Sequence, residues 1–287
     1  MNLRLRLGDA NILIVPGVFD GLTATIAAES GFEALYLSGA AVSYTRLGRP
    51  DIGLTSVTEM TETMALIRDR VDLPVIVDAD TGFGNALNAQ RTMRLFERAG
   101  ASALQVEDQT FPKRCGHLSD KSLISVVEMT GKIAAMADVR ASHETLIIAR
   151  TDAIAVEGFE AALSRADAYI EAGADALFIE APRSGAELRD IPKYFKGRVP
   201  LLANMVEGGA TPLVCSGDLE TLGYSIVIFP GGIVRALART AVEYYASLKI
   251  HGSNGPFAKH MLDFAGLNDC IGTRDLLKRG RYYEDKK

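Results

Sequence analysis

The stretch Gly100-Ala-Ser-Ala-Leu-Gln-Val-Glu107 contains the local pattern that decides the fold of this 287-residue chain. Its glycine is typical of a helix that ends in the left-handed conformation, and an almost wholly apolar strand begins three residues later. The same pattern returns at residues 31–36 and 173–178. This weak internal repeat predicts that helices and strands alternate along the chain.

The chain contains eight short apolar runs that we predict to be strands. They lie at residues 12–15, 35–37, 74–78, 103–107, 146–150, 176–180, 200–204 and 226–230. Each is almost continuously apolar, which is typical of parallel strands that helices cover on both faces. We therefore expect an α/β fold, a (β/α)8 TIM barrel over residues 1–250 that forms the catalytic domain. A doubly wound open sheet is the alternative, although no Gly-x-Gly-x-x-Gly follows the first strand.

Residues 251–287 exceed what such a barrel needs, since a (β/α)8 barrel uses about 250 residues. This segment contains an apolar set that has to be covered by something. The set consists of Phe257, Met261, Leu262, Phe264 and Leu267. We expect extra C-terminal helices here, which pack on this barrel or on a neighbouring subunit.

The composition excludes several classes of protein. An apolar content of 48% and a charged content of 23% argue against general disorder. No apolar run approaches the roughly 18 residues of a membrane span, and the net charge of −5 argues against nucleic acid as a partner. Three cysteines are too few for a disulfide framework, and we expect no signal peptide. These features predict a cytoplasmic protein.

Polar side chains follow most of the predicted strands. They are Ser38, Asp78, Asp80, Glu107, Asp108, Arg150, Asp152, Glu180, Asn204 and Glu207. In a TIM barrel the carboxyl ends of all strands meet on the face where active sites lie. A single aspartate there is more often a helix N-cap, but a whole series of polar strand ends is hard to explain by packing. The series predicts an active site on this face.

The acidic members of the series predict a site for a hard divalent cation. Asp78, Asp80, Glu107 and Glu180 provide oxygen ligands without a neighbouring histidine. Carboxylates with retained waters suit Mg²⁺ or Mn²⁺, whereas Zn²⁺ prefers His or Cys. Salt bridges among these residues, with Arg150 included, are the structural alternative.

The connection after the fourth strand, residues 109–125, is long for a barrel, and loops of that length often cover a binding site. Its segment Lys113-Arg114-Cys115-Gly116-His117 places two cations and a histidine around one cysteine. Nearby positive charge favours the thiolate, so Cys115 is a candidate acid, base or nucleophile. The alternative interpretation is structural. Cys115 would then be a small buried side chain, and Arg114 and Lys121 would be solvated charges of the loop.

With these motifs, the chain resembles the isocitrate lyase and phosphoenolpyruvate mutase superfamily. The matching stretches are residues 36–39, 47–53, 78–85, 106–109, 113–117, 148–153 and 203–207. The resemblance covers about residues 15–248. It implies a barrel that depends on Mg²⁺, which Mn²⁺ can replace, and a homotetramer that exchanges C-terminal helices between neighbouring subunits.

The segment at residues 113–117 is similar to that of carbon–carbon lyases acting on isocitrate, 2-methylisocitrate or 2,3-dimethylmalate, and of the related oxaloacetate hydrolases. Carboxyphosphonoenolpyruvate mutase has a similar loop, so a phosphonomutase is the alternative enzyme. An inactive barrel that binds or assembles other molecules is the alternative without chemistry. Two departures from the 2-methylisocitrate lyases, Leu118 after His117 and Ala40 after Gly39, favour a smaller dicarboxylate such as a 2-alkylmalate.

The resemblance implies cleavage of a 2-hydroxy di- or tricarboxylate to a 2-oxo acid and a second carboxylate. The resemblance implies that Asp80 binds the metal directly and that Asp78, Glu107 and Glu180 bind it partly through water. The implied catalytic residues are Cys115, which protonates an enediolate carbon, and Lys113, His117, Arg150, Tyr36 and Asp51. The implied substrate-binding residues are Ser38, Gly39, Ala40, Arg114, Gly116, Asn204 and Glu180.

Overall fold

The strands close into a barrel of eight parallel members, each hydrogen-bonded to the next and the last to the first. The computed structural model describes residues 2–116, 120–284 and 286. The strands are β1 (Leu13–Val18), β2 (Leu35–Leu37), β3 (Val75–Asp78), β4 (Ala103–Glu107), β5 (Leu146–Thr151), β6 (Ala176–Ile179), β7 (Leu201–Asn204) and β8 (Ile226–Phe229). The predicted TIM barrel is confirmed, and the open sheet is excluded by the pairing of β1 with β8.

Helices connect the strands. Those of the barrel are α1 (Leu3–Arg6), α2 (Gly21–Glu29), α3 (Gly39–Val42), α4 (Val57–Arg70), α5 (Ala86–Arg98), α6 (Val126–Val139), α7 (Ala153–Val156), α8 (Phe159–Glu171), α9 (Gly185–Phe195) and α10 (Ser216–Leu222), with a π-helix at Ser43–Leu47. The sequence pattern did not predict α1, whose N-cap is Asn2. Leu3 and Leu7, at either end of α1, join the same buried cluster as the strand residues, which explains why this short segment is ordered.

β1 continues to Val18, past the Pro16-Gly17 pair at which the sequence pattern predicts its end. Gly17 stands in register with Tyr36 of β2. A β-carbon built on Gly17 would lie 2.6 and 2.7 Å from the carbonyl carbon and Cα of Pro230. Glycine therefore permits the close backbone approach at the seam where β1 meets the end of β8.

Replacing this glycine is expected to destabilise the barrel. Because the new methyl group of Gly17→Ala would meet backbone, the strands at the seam must move, at a cost of about 1–3 kcal/mol for overpacking. Urea unfolding measures the free energy of unfolding directly. Gly217→Ala is the matched control, since, apart from its chain neighbours and the backbone of its own helix, no described atom lies within 4 Å of its β-carbon position. Equal stability of the two variants would contradict the close approach at the seam.

Residues 233–287 form a second compact unit. It contains most of α11 (Gly232–His251), a 3₁₀ helix (Gly255–His260), α12 (Phe264–Cys270) and α13 (Thr273–Glu284). The prediction of C-terminal helices is confirmed, while the domain boundary at residue 250 stays a prediction. Phe257 is buried beside the ring of Tyr244, but most apolar side chains of this unit are exposed, with Phe264 at 88%. No helix in the described part of the chain is long and apolar enough to cross a membrane.

Candidate active site

The strand-end side chains continue the inner face of the barrel. Along a strand, residues two positions apart share a face. The buried core cluster contains Tyr36, Ile76, Ile148 and Phe178. Two positions further along the chain come Ser38, Asp78, Arg150 and Glu180. The alternation of the strands therefore brings this polar set to the carboxyl end of the barrel interior.

Lys113 forms ion pairs with two carboxylates of this region. Its Nζ atom lies 2.5 Å from Asp51 Oδ1 and 2.8 Å from Asp80 Oδ1, and none of the three side chains is more than 8% exposed. Asp78 lies beside them, because its Oδ1 accepts a hydrogen bond from the Asp80 amide at 3.2 Å. The structure thus places Lys113, an implied catalytic residue, next to Asp80, which is implied to bind the metal.

The carboxylates of this group are in an environment that disfavours uncompensated negative charge. Burial raises the pKa of Asp80 to about 7, against the opposing effect of Lys113. Burial likewise raises the pKa of Glu107, although Arg150 favours its charged form. Burial alone would lower the pKa of Lys113, but Asp80 and Asp51 raise it well above its ordinary value. A bound cation would compensate the charge of these carboxylates.

Arg150 is the centre of a second group of buried charges. Its Nε and Nη2 atoms donate to the two carboxylate oxygens of Asp152 at 2.9 and 3.0 Å. Its Nη1 lies 3.3 Å from Glu107 Oε2, and its Nη2 lies 3.9 Å from Glu180 Oε2. The guanidinium also stacks over the ring of Phe178 at 5.0 Å. These contacts fix the orientation of a guanidinium whose planar fork suits a substrate carboxylate.

The Tyr36 hydroxyl forms a hydrogen bond that the sequence did not predict. Its hydroxyl donates to Gln105 Oε1 at 2.5 Å, and both side chains are buried. Burial and the nearby charge of Asp78 raise the pKa of Tyr36 well above its ordinary value. The hydroxyl is therefore protonated and already engaged as a donor, which limits it to accepting a hydrogen bond from any further group. The position of Gln105, two residues before Glu107 on β4, was the available signal.

The backbone amides implied for substrate binding are only partly available. The Ser38 amide donates to the Val18 carbonyl at 3.1 Å, as part of the pairing of β1 with β2. The Gly39 amide lies 3.3 Å from Asp78 Oδ2, to which it donates. Ser38 is the N-cap of α3, and its hydroxyl accepts from the Ala41 amide. Of the implied trio, the amide of Ala40 at the start of this helix is the best placed to meet an anionic group.

The long loop is anchored where it leaves and rejoins the barrel. Gln109 and Leu123 form an antiparallel bridge. The Gln109 side chain also donates to the Arg114 carbonyl at 2.8 Å and accepts from the Arg114 amide at 2.9 Å. The Arg114 guanidinium is exposed, and its Nη1 atom lies 3.4 Å from Asp120 Oδ2. His117, with its implied catalytic role, lies outside the described residues.

The Cys115–Gly116 segment of the loop lies directly at the candidate site. The Cys115 amide donates to the Asp51 carbonyl at 3.2 Å, and the residue is half-buried. A β-carbon built on Gly116 would lie 2.9 Å from Glu180 Cγ and still closer to Arg150 Nη2. The loop backbone therefore packs against the buried charges, and glycine makes this approach possible.

Lys121 is not a solvated loop charge. Its side chain is only 2% exposed, and its Nζ lies 2.9 Å from Asp152 Oδ1. Burial alone would raise the pKa of Asp152, but Arg150 and Lys121 together lower it to about 2. Sequence spacing could not pair two residues on separate loops, so this ion pair was missed.

The oxygen atoms of the candidate site suit a hard cation that keeps part of its water shell better than one that protein ligands enclose. Within residues 2–116, 120–284 and 286, no group of three or more His, Cys, Asp or Glu side chains forms a ready metal cage. Glu107 Oε1 and Asn204 Oδ1 are buried and accept no hydrogen bond from any described residue. Because Mg²⁺ binds one or two carboxylates and keeps several waters, such isolated oxygens suit it.

Comparison with known proteins places the chain in a family. Residues 4–249 match the family model described as phosphoenolpyruvate phosphomutase. The chain belongs to this family. The 2,3-dimethylmalate lyase of Eubacterium barkeri is 41% identical over 96% of this chain and 94% of its own. The 2-methylisocitrate lyase of Aeropyrum pernix is 44% identical over 96% and 88%. The chloroplastic carboxyvinyl-carboxyphosphonate phosphorylmutase of Arabidopsis thaliana is 39% identical over 92% and 78%.

Solved structures of the phosphoenolpyruvate phosphomutase family share the whole fold. A crystal structure of 2,3-dimethylmalate lyase superposes with a TM-score of 0.91 at 34% identity, covering 96% of this chain and 92% of that one. A phosphonopyruvate hydrolase in complex with oxalate and Mg²⁺ superposes with a TM-score of 0.87 at 31% identity, covering 96% of both chains. The superfamily inferred from the motifs is therefore confirmed.

Proposed function

We propose that this chain is a carbon–carbon lyase that depends on a divalent metal and cleaves a 2-hydroxy dicarboxylate or tricarboxylate. The products are a 2-oxo acid and a second carboxylate. The observation that carries the proposal is the packing of the Cys115–Gly116 segment against Arg150 and Glu180. It places the backbone next to Cys115 beside a buried arginine and a buried carboxylate. The similarity to 2,3-dimethylmalate and 2-methylisocitrate lyases supports the same reaction class.

The proposed metal is Mg²⁺, which Mn²⁺ can replace. Asp80 would hold it directly, with Asp78, Glu107 and Glu180 acting partly through water. A cation at this position supplies Lewis-acid stabilisation of developing negative charge on oxygen, worth several kcal/mol. The buried, unbonded Glu107 Oε1 and the raised pKa of Asp80 support a cation here. The related phosphonopyruvate hydrolase has been solved with oxalate and Mg²⁺.

The chain's own residues have distinct parts in the proposed cleavage. Arg150 binds the carboxylate of the 2-oxo acid portion and keeps it oriented. When the carbon–carbon bond breaks, the substrate hydroxyl gives its proton to a carboxylate of the site and becomes the carbonyl, and the bonding pair moves to the other fragment as an enediolate. Cys115 then gives its thiol proton to the enediolate carbon. Lys113, Asn204 and His117 are proposed to stabilise the enediolate charge before that step.

Two sets of exposed apolar side chains support the proposal of a homotetramer that exchanges helices. In the barrel unit, Leu22 and Ile26 of α2 are each 42% exposed. In the second unit, Leu262 is 63% and Phe264 is 88% exposed. Apolar surfaces of this kind mark protein–protein contacts. A cytoplasmic location is proposed as well, supported by a content of three cysteines, which is too low for a disulfide framework.

A substrate panel tests the proposed function. The protein with Mg²⁺ is incubated with isocitrate, 2-methylisocitrate, 2,3-dimethylmalate, citramalate and oxaloacetate, and 2-oxo acid or oxalate is followed by chromatography. We expect cleavage of one compound, because the site combines a cation position, a fixed arginine and a thiol. Removal of the metal by a chelator is expected to stop it, and excess Mg²⁺ to restore it. Oxaloacetate cleavage alone would identify a hydrolase instead.

The family resemblance also supports a second candidate, a phosphonomutase. The similarity to carboxyvinyl-carboxyphosphonate phosphorylmutase favours it. Phosphorus NMR on a phosphonate substrate distinguishes rearrangement at phosphorus from cleavage between carbons. A thermal melt with Mg²⁺ and oxalate separates both enzymes from an inactive barrel, because a ligand that binds the native state raises its stability. An unchanged melt together with a silent panel would favour the inactive barrel.

A further inference from the structure

Lys121 connects the long loop to the barrel through buried contacts. Its Nζ atom donates to the carbonyl of Gly116 and to Asp152 Oδ1, the latter at 2.9 Å. The two charged side chains are 2% and 0% exposed. Long side chains lose considerable entropy when they are buried in one conformation, so a cation held here indicates a specific role for the pair.

Asp152 is itself held in place on the barrel. Its backbone amide donates to Asp108 Oδ1 at 3.0 Å, and Asp108 Oδ2 accepts from the hydroxyls of Thr151 and Tyr169, both at 2.7 Å. The Asp152 carboxylate therefore cannot simply follow Lys121 if the loop moves. The same carboxylate accepts two hydrogen bonds from Arg150. The Asp152 carboxylate, which is held in one position, thus contacts both Lys121 of the loop and Arg150 of the candidate site.

The contacts form a closed circuit around the reacting segment. Lys121 joins the Gly116 carbonyl to Asp152, Asp152 orients Arg150, and Arg150 packs against Gly116. If the contacts of Lys121 are lost, Arg150 still donates to both carboxylate oxygens of Asp152. The Gly116 peptide, however, loses the donor that draws it toward the barrel. The expected consequence is a displaced Cys115–Gly116 segment on an intact barrel.

We infer that Lys121 is a positioning residue, which holds the Cys115–Gly116 segment against Arg150 for the carbon–carbon cleavage. This inference rests on the proposed function for its catalytic consequence. Its structural consequence, the placement of Cys115, can be measured without any substrate. A loop charge that merely improves solubility would alter neither.

The kinetic test compares Lys121→Met, Lys121→Arg and the control Lys193→Met. Lys193 is also a lysine paired with an aspartate, but its side chain is 71% exposed. Misplacement of a catalytic group by about 1 Å costs on the order of 10²-fold in rate. We therefore expect kcat of Lys121→Met to fall about 10- to 100-fold with KM changed much less. Lys121→Arg keeps the charge and is expected to recover part of kcat, and Lys193→Met to match the wild type.

The second readout is the rate of iodoacetamide alkylation of Cys115, measured by peptide mass spectrometry. Cys215 of the same chain is exposed and serves as the internal standard. Loss of the Lys121 contacts is expected to accelerate Cys115 labelling about threefold or more, because local opening exposes the loop. Labelling in Lys193→Met should equal that of the wild type.

The outcomes separate the inference from the proposed function. If the wild type cleaves no compound of the panel, the proposed function fails, and the alkylation rates alone decide the placement of Cys115. Wild-type labelling in Lys121→Met overturns the inference. So does accelerated labelling with wild-type kcat, because the placement then has no catalytic consequence. If Lys121→Met does not fold, Lys121→Gln, which keeps a donor of similar length without charge, is judged by the same criteria.

Discussion

Cys115→Ser is expected to lower kcat about 10²- to 10⁴-fold, because general acid catalysis by a positioned side chain contributes about that factor. The loss corresponds to roughly 3–5.5 kcal/mol in the barrier. A serine hydroxyl occupies nearly the same volume as the thiol but is a far weaker acid, so it cannot protonate the enediolate carbon at a similar rate. The backbone position of the residue is fixed independently, by the hydrogen bond from its amide to the Asp51 carbonyl.

Cys215→Ser is the matched control for this experiment. Cys215 is an exposed thiol, with its Sγ atom 3.2 Å from Asp218. The same chemical change there is expected to leave kcat unchanged. The melting temperature is expected to rise equally in the wild type and both variants when Mg²⁺ and oxalate are added. An equal rise would show that the metal and the product analogue still bind. Near-normal turnover of Cys115→Ser would remove this residue from the mechanism.

The fold could be predicted because its signals are local. The repeat glycines Gly31, Gly100 and Gly173 have φ values of 87°, 89° and 106°, as expected for helix ends in the left-handed conformation. Asp20 is the N-cap of α2 and forms a capping box with Thr23. Each of these features depends on a few adjacent residues. Continuous apolar runs between them indicated buried parallel strands, and closure of the barrel followed from their number.

The inner face of the site could also be anticipated, since it extends the period of two along each strand. The pairings within the site could not. Lys113 and its partner Asp51 are 62 positions apart, and Lys121 and Asp152 are 31 apart. A loop cation has many possible carboxylate partners, and composition does not show which of them shares its surroundings. Burial decides this choice, because a charge withdrawn from water must meet an opposite charge or a set of hydrogen bonds.

Gln105 shows the same limit on the inner face. Its neighbours in β4 are apolar, so the sequence marks it only as an unusual polar residue within a buried strand. Its function depends on Tyr36, which lies 69 positions away on β2. The implied catalytic role of Tyr36 is therefore limited by Gln105, which lies outside the stretches that carry the resemblance. The hydroxyl hydrogen points to Gln105, so a substrate group can interact with Tyr36 only by donating a hydrogen bond to its oxygen.

Gly116→Ala is expected to lower kcat about 10²-fold, comparable to a misplacement of catalytic groups by about 1 Å. The added methyl group would lie 2.9 Å from Glu180 Cγ and closer still to the Arg150 guanidinium. Arg150 cannot retreat easily, because Asp152 accepts from two of its nitrogens and Glu107 lies 3.3 Å from a third. The loop must therefore move outward and carry Cys115 with it.

The free energy of unfolding should change little in Gly116→Ala, because the residue lies on the loop outside the barrel strands. Gly131→Ala is the matched control, since, apart from its chain neighbours and the backbone of α6, no described atom lies within 4 Å of its β-carbon position. Alanine within α6 should stabilise the protein by about 0.5–1 kcal/mol. Steady-state kinetics and urea unfolding of both variants measure the two effects separately. Wild-type kcat in Gly116→Ala would show that the loop reacts from a position away from Arg150. A parallel loss of kcat in both variants would instead indicate that an added methyl group lowers activity whatever its distance from Arg150.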